Sequence, residues 1–432
     1  MSSTTRPHPG RSRTLRAVTG GLAALALGLT GAVATAPTAT ASAPDAERAK
    51  PTRTEFAFKA NGYGTSASGG QVPVGSDRTA LSSIACTSDA GKARRNFVEE
   101  TEVPGLGTVR GVYSRLSTSR KGGVTASTSV HKVAEIVLAE TPLGSLTIDG
   151  VESTTSASND GRAFDAVAET KIAGITFTPP AGEPQTLPIP SLGQPLEIPG
   201  LAVITLGRTI EKESRENARA YAVGLVVKVI PTDTVVKVAR SVSKLERGFK
   251  TGIFSGSGVP VKANVLGELV EVGRVITQVM PCLGTGGELD ASDAADVDLG
   301  DQILVDGASA RQRGNQTARK ANGMESSFVA ELNLADQLVV EAISSRVKVT
   351  RMASGKLKRS ARASFGAITV GGQPQSLDQL GELEIPGVAK IQTGLRKKIK
   401  DGIRMIGVRV TLLDGTGAVI DLATSKLSIR ES

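Results

Sequence analysis

The chain has 432 residues, 51 Lys and Arg against 42 Asp and Glu, a net charge of +9, two Cys, two His and no Trp. Nine Phe and three Tyr give little material for the base stacking that single-stranded nucleic-acid binding uses, so no nucleic-acid partner is expected. Past the leader His131 is the one histidine, which leaves almost nothing for Ser-His or Cys-His catalysis or a transition-metal site.

Arg6, Arg11, Arg13 and Arg16 precede an apolar run from Ala17 to Ala36, and Ala39-Thr40-Ala41 follows it. This is the three-part pattern of a secretory signal, expected over residues 1–41. The mature protein is therefore expected to be exported, secreted or associated with the cell wall. No later apolar run reaches the ~20 residues of a membrane-crossing helix, so no transmembrane segment is expected in the mature chain. Residues 42–54, with Pro44 and Pro51, read as a flexible entry.

In residues 55–102, Phe56-Ala57-Phe58 and Ala80 to Cys86 read as strands, and Asn61-Gly62 and Ser68-Gly69-Gly70 as turns. Further on, Leu196-Glu197-Ile198-Pro199-Gly200 returns as Leu383-Glu384-Ile385-Pro386-Gly387. A repeat takes precedence over local patterns, and this one marks a unit present twice, over 103–246 and 297–430. Within each copy, period-two runs such as Tyr221, Val223, Leu225, Val227 and Ile406, Val408, Val410, Leu412 read as half-buried strands. Asn159-Asp160-Gly161 and Gly371-Gly372 read as turns between strands. The expected fold class is all-β, two tandem antiparallel repeats of sandwich or barrel type. In the repeated motif, Pro199 and Pro386 suit a strand edge, Gly200 and Gly387 a turn, and the Leu and Ile before them anchor that turn to the core. Residues 179–195, with six Pro, read as a surface excursion.

Between the copies, Val265, Leu269, Val272, Ile276 and Val279 recur at helical spacing, with Asn264 to cap and Pro281 to stop. One helix is expected from Asn264 to Met280. The expected division is a first β-domain, 55–296, in which the repeat is flanked by 55–102 and 247–296, and a second, 297–432. Cys86 and Cys282 each fall in a flanking segment, and an even cysteine count in an exported chain points to a disulfide between them.

Charge is uneven. Residues 42–296 carry 27 basic and 28 acidic side chains, whereas 297–432 carry 20 and 14, a net of +6. Lys356, Lys358, Arg359, Arg362, Arg396, Lys397, Lys398 and Lys400 are the candidate anion-binding residues. Asp296, Asp298 and Asp301 offer hard oxygen ligands for Ca²⁺, but without full loop spacing they read as an acidic linker, and no metal or cofactor is expected. His131, in a Ser/Thr/Val strand, reads as a polar surface residue. No nucleophile elbow, Walker loop or dinucleotide fingerprint occurs.

With the copies aligned, Leu383 to Val388, the run Arg404 to Leu413, the closing run Val419 to Ser425 and the strand Leu146 to Ser153 resemble the choice-of-anchor P family of secreted actinobacterial proteins. In that family the strand resembling Leu146 to Ser153 ends at a cysteine, absent from both copies here. The resemblance implies an envelope or secreted β-protein without catalytic residues. The expected function is a non-catalytic structural or interaction module of the cell envelope, its partner a wall polymer or another envelope protein. A binder of anionic wall polymer through the basic C-terminal repeat, and a hydrolase working through carboxylates, are the alternatives.

Overall fold

Val, Ile and Ala alternating with Ser, Thr and charged side chains dictate strands buried on one side. The computed structural model describes residues 51–70, 78–138, 141–264, 274–295, 297–298, 303–377, 381–413, 415 and 417–431. Among them every regular element longer than a turn is a strand, and all pairings are antiparallel. The first half holds β1 (Thr52–Ser68), β2 (Ser82–Ala90), β3 (Ala93–Val103), β4 (Gly107–Lys121), β5 (Val124–Leu138), β6 (Ser145–Asn159), β7 (Phe164–Lys171), β8 (Gly174–Thr178), β9 (Gln185–Thr186), β10 (Leu196–Ile198), β11 (Ala202–Leu206), β12 (Thr209–Glu213), β13 (Asn217–Val229) and β14 (Thr234–Arg247). The second holds β15 (Gly252–Asn264), β16 (Arg274–Val275), β17 (Gln278–Val279), β18 (Asp290–Ala294), β19 (Val297–Asp298), β20 (Ile303–Gln316), β21 (Lys320–Leu334), β22 (Leu338–Met352), β23 (Leu357–Ser364), β24 (Ile368–Val370), β25 (Gln373–Pro374), β26 (Glu382–Ile385), β27 (Ala389–Ile399), β28 (Gly402–Leu412) and β29 (Val419–Glu431).

Four sheets result. Sheet I runs β10-β11-β13-β14-β1-β2, with β12 beside β13, and sheet II runs β3-β4-β5-β6-β8-β9, with β7 beside β6. Their facing sides bury Val109, Val112, Ile136 and Ile148 of sheet II against Ile204, Leu225, Val227 and Val238 of sheet I. Sheet III, β16-β15-β29-β28-β27-β26 with β17 beside β15, and sheet IV, β18-β20-β21-β22-β24-β25 with β19 and β23 added, pack the same way. The molecule is thus two antiparallel β-sandwiches.

The correspondence reaches further than residues 103–246 and 297–430. β15 pairs with β29 and β18 with β20, so residues 252–264 and 274–295 belong to the second sandwich and not, as the sequence division had it, to the first. β1 holds the corresponding place beside β14. The expected helix is corrected at its described ends. Asn264 closes β15, and Arg274–Val275 and Gln278–Val279 pair with Val261, Lys262, Ser257 and Gly258 of the same strand. Residues 265–273 of that segment lie outside the described residues. The stripe of Val and Ile fits a strand equally well, and the free edge of β15 supplies the backbone partners.

Asn61-Gly62 is no turn either, since β1 runs through it to Ser68. Gly62 is required for close approach. A Cβ there would lie 2.2 Å from His131 Nε2. The repeated motif does form matching turns. Pro199 and Pro386 each precede a glycine at φ 71° and φ 73°, and the amides of Leu201 and Val388 donate to Ile198 O and Ile385 O, both at 3.0 Å. This is a type II turn, with Pro at the second position and Gly at the third.

Small residues in left-handed conformation interrupt the long strands at matching places: Gly111 and Gly307, Gly150 and Ala342, Ala239 and Ala423, all with φ between 49° and 59°. Kinks of this kind curve a sheet. Beside them the opposing sheet presses in. A Cβ on Gly64 of β1 would sit 2.0 Å from Val112 Cγ1 of β4, and one on Gly224 of β13 would sit 2.5 Å from Val151 Cγ1 of β6.

The expected disulfide joins Cys86 to Cys282, 196 residues apart, with Cα atoms 5.4 Å apart. That spacing also separates Phe58 from Phe254, Ala57 from Ile253 and Gly111 from Gly307. The cysteines therefore lie at corresponding positions inside the two copies, not outside them. Around the bond Ala57 meets Ile253, with Phe249 packed against them, so like faces like across the joint, as in an isologous interface.

Two outcomes follow. Gly64→Ala lowers urea stability by about 1–3 kcal/mol through overpacking, while Gly174→Ala, whose Cβ would meet nothing closer than 3.9 Å, is nearly neutral. Val112→Ala restores part of the loss in the double variant. Without reductant no thiol alkylates and with it two do, and reduction lowers stability by on the order of 5 kcal/mol in the loop-entropy account, read as a fall in Tm.

Candidate anion-binding surface

Strand alternation sends one set of side chains of β20 to β23 inward and the other out. The register places the outward set in three rows across the four strands. Arg311, Ser326, Arg346 and Arg362 form the first, and Arg313, Met324, Lys348 and Ser360 the second. Asn315, Asn322, Thr350 and Lys358 form the third. All twelve are exposed or half-buried, and the six cations among them share the patch with no acid. Neighbouring strands lie about 4.8 Å apart, so Arg346 and Arg362 stand directly opposite each other, a like-charge pairing that opposes folding. Among the described residues none of the six is ion-paired, and Arg313 Nε donates to Gly287 O.

The first sandwich is an internal control. The corresponding positions of β4 to β7 hold Arg115, Val130, Thr154 and Glu169, then Ser117, Thr128, Ser156 and Val167, then Ser119, Ala126, Ser158 and Asp165. One cation and two acids occupy the same scaffold, so the fold does not call for the basic rows.

Lys358 and Arg362 belong to this patch. Lys356 is exposed in the turn before β23, and Arg359, also exposed, points to the other side of its strand. Arg396, Lys397 and Lys398 are exposed on β27, and Lys400 follows in the turn. β27 belongs to sheet III, yet it approaches β23 of sheet IV within 8 Å between Cα atoms. Two basic segments far apart in sequence thus meet at one edge of the sandwich. Arg311, Arg313, Arg346 and Lys348 were missed by reasoning from runs of charge. The available signal was Arg-x-Arg and Arg-x-Lys inside strands, which alternation gathers on one face.

Of the carboxylates considered for Ca²⁺, Asp296 and Asp301 lie outside the described residues, and Asp298 pairs with Leu304 at the sheet edge. Among the described residues no group of three or more His, Cys, Asp and Glu is arranged to hold a metal.

His131 is fully buried rather than at the surface. It sits in a polar layer that crosses the core, where the inward residues of β6 change from Val151 to Ser153 and Thr155 and then to Ala157. Ser114 Oγ donates to Ala80 O at 2.6 Å and accepts from His131 Nδ1 at 2.7 Å. Ser129 Oγ donates to Nε2 at 2.9 Å. The short Ser114–Ala80 bond, against the 3.3 Å at which Ser129 Oγ would otherwise donate to Asn61 O, favours the neutral Nδ1–H tautomer. Burial, then the Arg240 charge, pushes the imidazole down to about 3, so it bridges strands as a neutral group. Thr155 and Ser243 (2.9 Å) and, in the second sandwich, Ser345 and Ser425 (2.7 Å) likewise join facing sheets by hydroxyls.

Glu325 stands where the first sandwich has Ser129. It is fully buried above Gly256, and neither carboxylate oxygen has a hydrogen-bond partner. Burial, then the Asp290 charge, holds its carboxyl well above the usual range, so the folded protein keeps it protonated. A carboxyl raised on folding contributes least below its unfolded value, near 4.3, and destabilises increasingly above it. Glu325→Gln therefore unfolds like the parent near pH 4 and at higher denaturant than the parent at pH 8. Equal midpoints at pH 8 would contradict the buried neutral acid.

Among the described residues no helix is long and apolar enough to cross a membrane. In comparisons of the chain with known proteins, no family model, no curated protein and no solved structure matches it.

Proposed function

We propose that the protein is an exported, non-enzymatic β-repeat module that attaches to an anionic polymer of the cell envelope through its second sandwich. One observation carries this reading: six cations in three successive rows across β20 to β23, with no acid among them, where the first copy is close to neutral. A flat array of exposed charge recognises an extended polyanion better than a small molecule, because no single pair of exposed charges contributes much. The basic edge formed by β23 and β27 extends the surface. Export rests on the leader pattern and on the disulfide, which persists in oxidising compartments. Kinship with the choice-of-anchor P family belongs to the same proposal and rests on the motifs quoted above.

The test is retention of the mature chain on immobilised polyphosphate and on wall teichoic acid as NaCl is raised. Retention is expected to fall steeply with salt, because exposed charges are screened. The variant Arg346→Glu with Lys348→Glu is expected to bind about tenfold more weakly, while Thr154→Glu with Ser156→Glu at the corresponding positions of the first copy has a smaller effect. Salt-insensitive retention, or a double variant that elutes with the parent, would overturn the reading.

A further inference from the structure

The first sandwich, near neutral in sequence, concentrates cations on a different sheet. Lys59 of β1 lies opposite Lys244 of β14, Lys244 opposite Arg219 of β13, and Arg219 opposite Lys212 of β12. Four cations therefore stand in one row across four adjacent strands of sheet I. They lie on its outer side, since the alternating Phe58, Leu245, Ala218 and Ala220 are buried between the sheets. A fifth, Arg240, is held beside the row between two rings, 5.5 Å from the centroid of Tyr63 and 5.3 Å from that of Tyr221, with Nη1 donating to Asn61 Oδ1 at 3.1 Å.

Like charges directly opposite each other destabilise a sheet, and this row repeats the offence at every strand. Among the described residues one carboxylate answers it. Glu246 reaches Lys244 at 2.6 Å. Lys59, Arg219 and Lys212 have no acceptor there. The row also deepens towards the joint between the sandwiches. Lys212 and Arg219 are exposed, Lys244 and Lys59 half-buried, and Ala57, two residues from Lys59 on the same side, is buried against Ile253. The corresponding row of the second copy reads Ser255, Ser428, Gly402 and Ile399, so the fold does not need charge at these positions, and the cations of that sheet, Lys426, Arg404 and Lys397, stand opposite one another one row further on.

We propose that the row Lys59, Lys244, Arg219 and Lys212, flanked by Arg240, is a binding site for a tetrahedral oxyanion of the phosphate or sulfate class, free or carried on a polymer. The ligand supplies the acceptors that the protein withholds. Lys59, at the inner end, gives the site its depth, and Arg219 supplies a planar fork for two oxygens. The site is separate from the basic rows of the second sandwich and stands or falls independently of them. Positive charge and burial crowd the inner end of the row. Desolvation, the Lys244 charge, and then Arg219 and Arg240, with Glu246 opposing them, lower the Lys59 amine to about 8.

The experiment is calorimetric titration of the mature chain with sodium sulfate, whose charge is constant between pH 7 and pH 9, and in parallel with polyphosphate. Sulfate is expected to bind at pH 7 and to weaken by pH 9 as Lys59 loses its proton. Lys59→Met is expected to bind about tenfold more weakly at pH 7 and to show little change up to pH 9. Arg219→Gln, at an exposed position, is expected to weaken binding while keeping the pH dependence. Polyphosphate is titrated into the Arg346→Glu and Lys348→Glu background, which weakens the second sandwich's surface, so that the remaining dependence on Lys59 and Arg219 is read separately. Polyphosphate binding that needs Lys59, in the absence of sulfate binding, assigns the site to a polymer-borne group. If neither anion binds, or if Lys59→Met and Arg219→Gln both bind as the parent does, the site does not exist.

Discussion

Everything in this structure depends on how closely facing sheets approach at a few places where a side chain has been given up. Val112 rests where Gly64 has no Cβ, Val151 where Gly224 has none, and Ile343 over Gly407, at 3.0 Å from where a Cβ would stand. Each of these three follows directly on a left-handed residue, Gly111, Gly150 or Ala342. The kink in one strand and the gap in the facing strand are thus parts of one contact. Alanine tolerates the left-handed conformation at a cost of about 1–2 kcal/mol, and that three of these positions hold Ala measures how strongly packing constrains the rest. Strands of 15 to 17 residues are long for a sandwich, and the kinks let them curve and stay in register.

With the scaffold fixed by core and kinks, its surfaces were free to diverge, and the two copies show what was not fixed. The outer rows of sheet II are Ser and Thr where those of sheet IV are Arg and Lys. The row of sheet I through Lys59 is Lys and Arg where the corresponding row of sheet III is Ser, Gly and Ile, its cations Lys397, Arg404 and Lys426 standing one row further on. The interiors diverge too, but in matched sets. Ser129 with His131 in the first copy is answered by Glu325 with Ser327 in the second, and Ala60 by Gly256, the smaller residue lying under the larger side chain. Polar groups buried with partners hold a sheet pair in register. Glu325 has none, and burial keeps it neutral instead.

Much of the architecture was legible from residues alone. Period-two runs gave the strands, Pro-Gly after Leu-Glu-Ile gave the turn, and the parity of two cysteines gave the bond. The copies' true extent was less visible. Over residues 52–90 and 252–286 few residues coincide beyond Phe58 and Phe254, Gly62 and Gly258, and Cys86 and Cys282, and a short apolar stripe with Val at helical spacing does not distinguish a helix from edge strands. His131 looked superficial because its neighbours are Ser, Thr and Val. The partners that bury it, Ser114, Ala80 and Gly62, come from other strands. The basic patch was half legible, since clustered Lys and Arg are visible as runs, whereas rows across strands exist only once pairing is known.

The position of the cross-link also determines how the molecule carries load. Tension applied to the two ends of the chain travels along β1 and β2 to Cys86, crosses the sulfur bond to Cys282, and continues through the second sandwich. Most of the first sandwich, from β3 to β14, lies on the bypassed branch and feels no pull along its backbone. A tethered molecule stretched in this way lengthens only by the chain outside that branch until the bond is reduced.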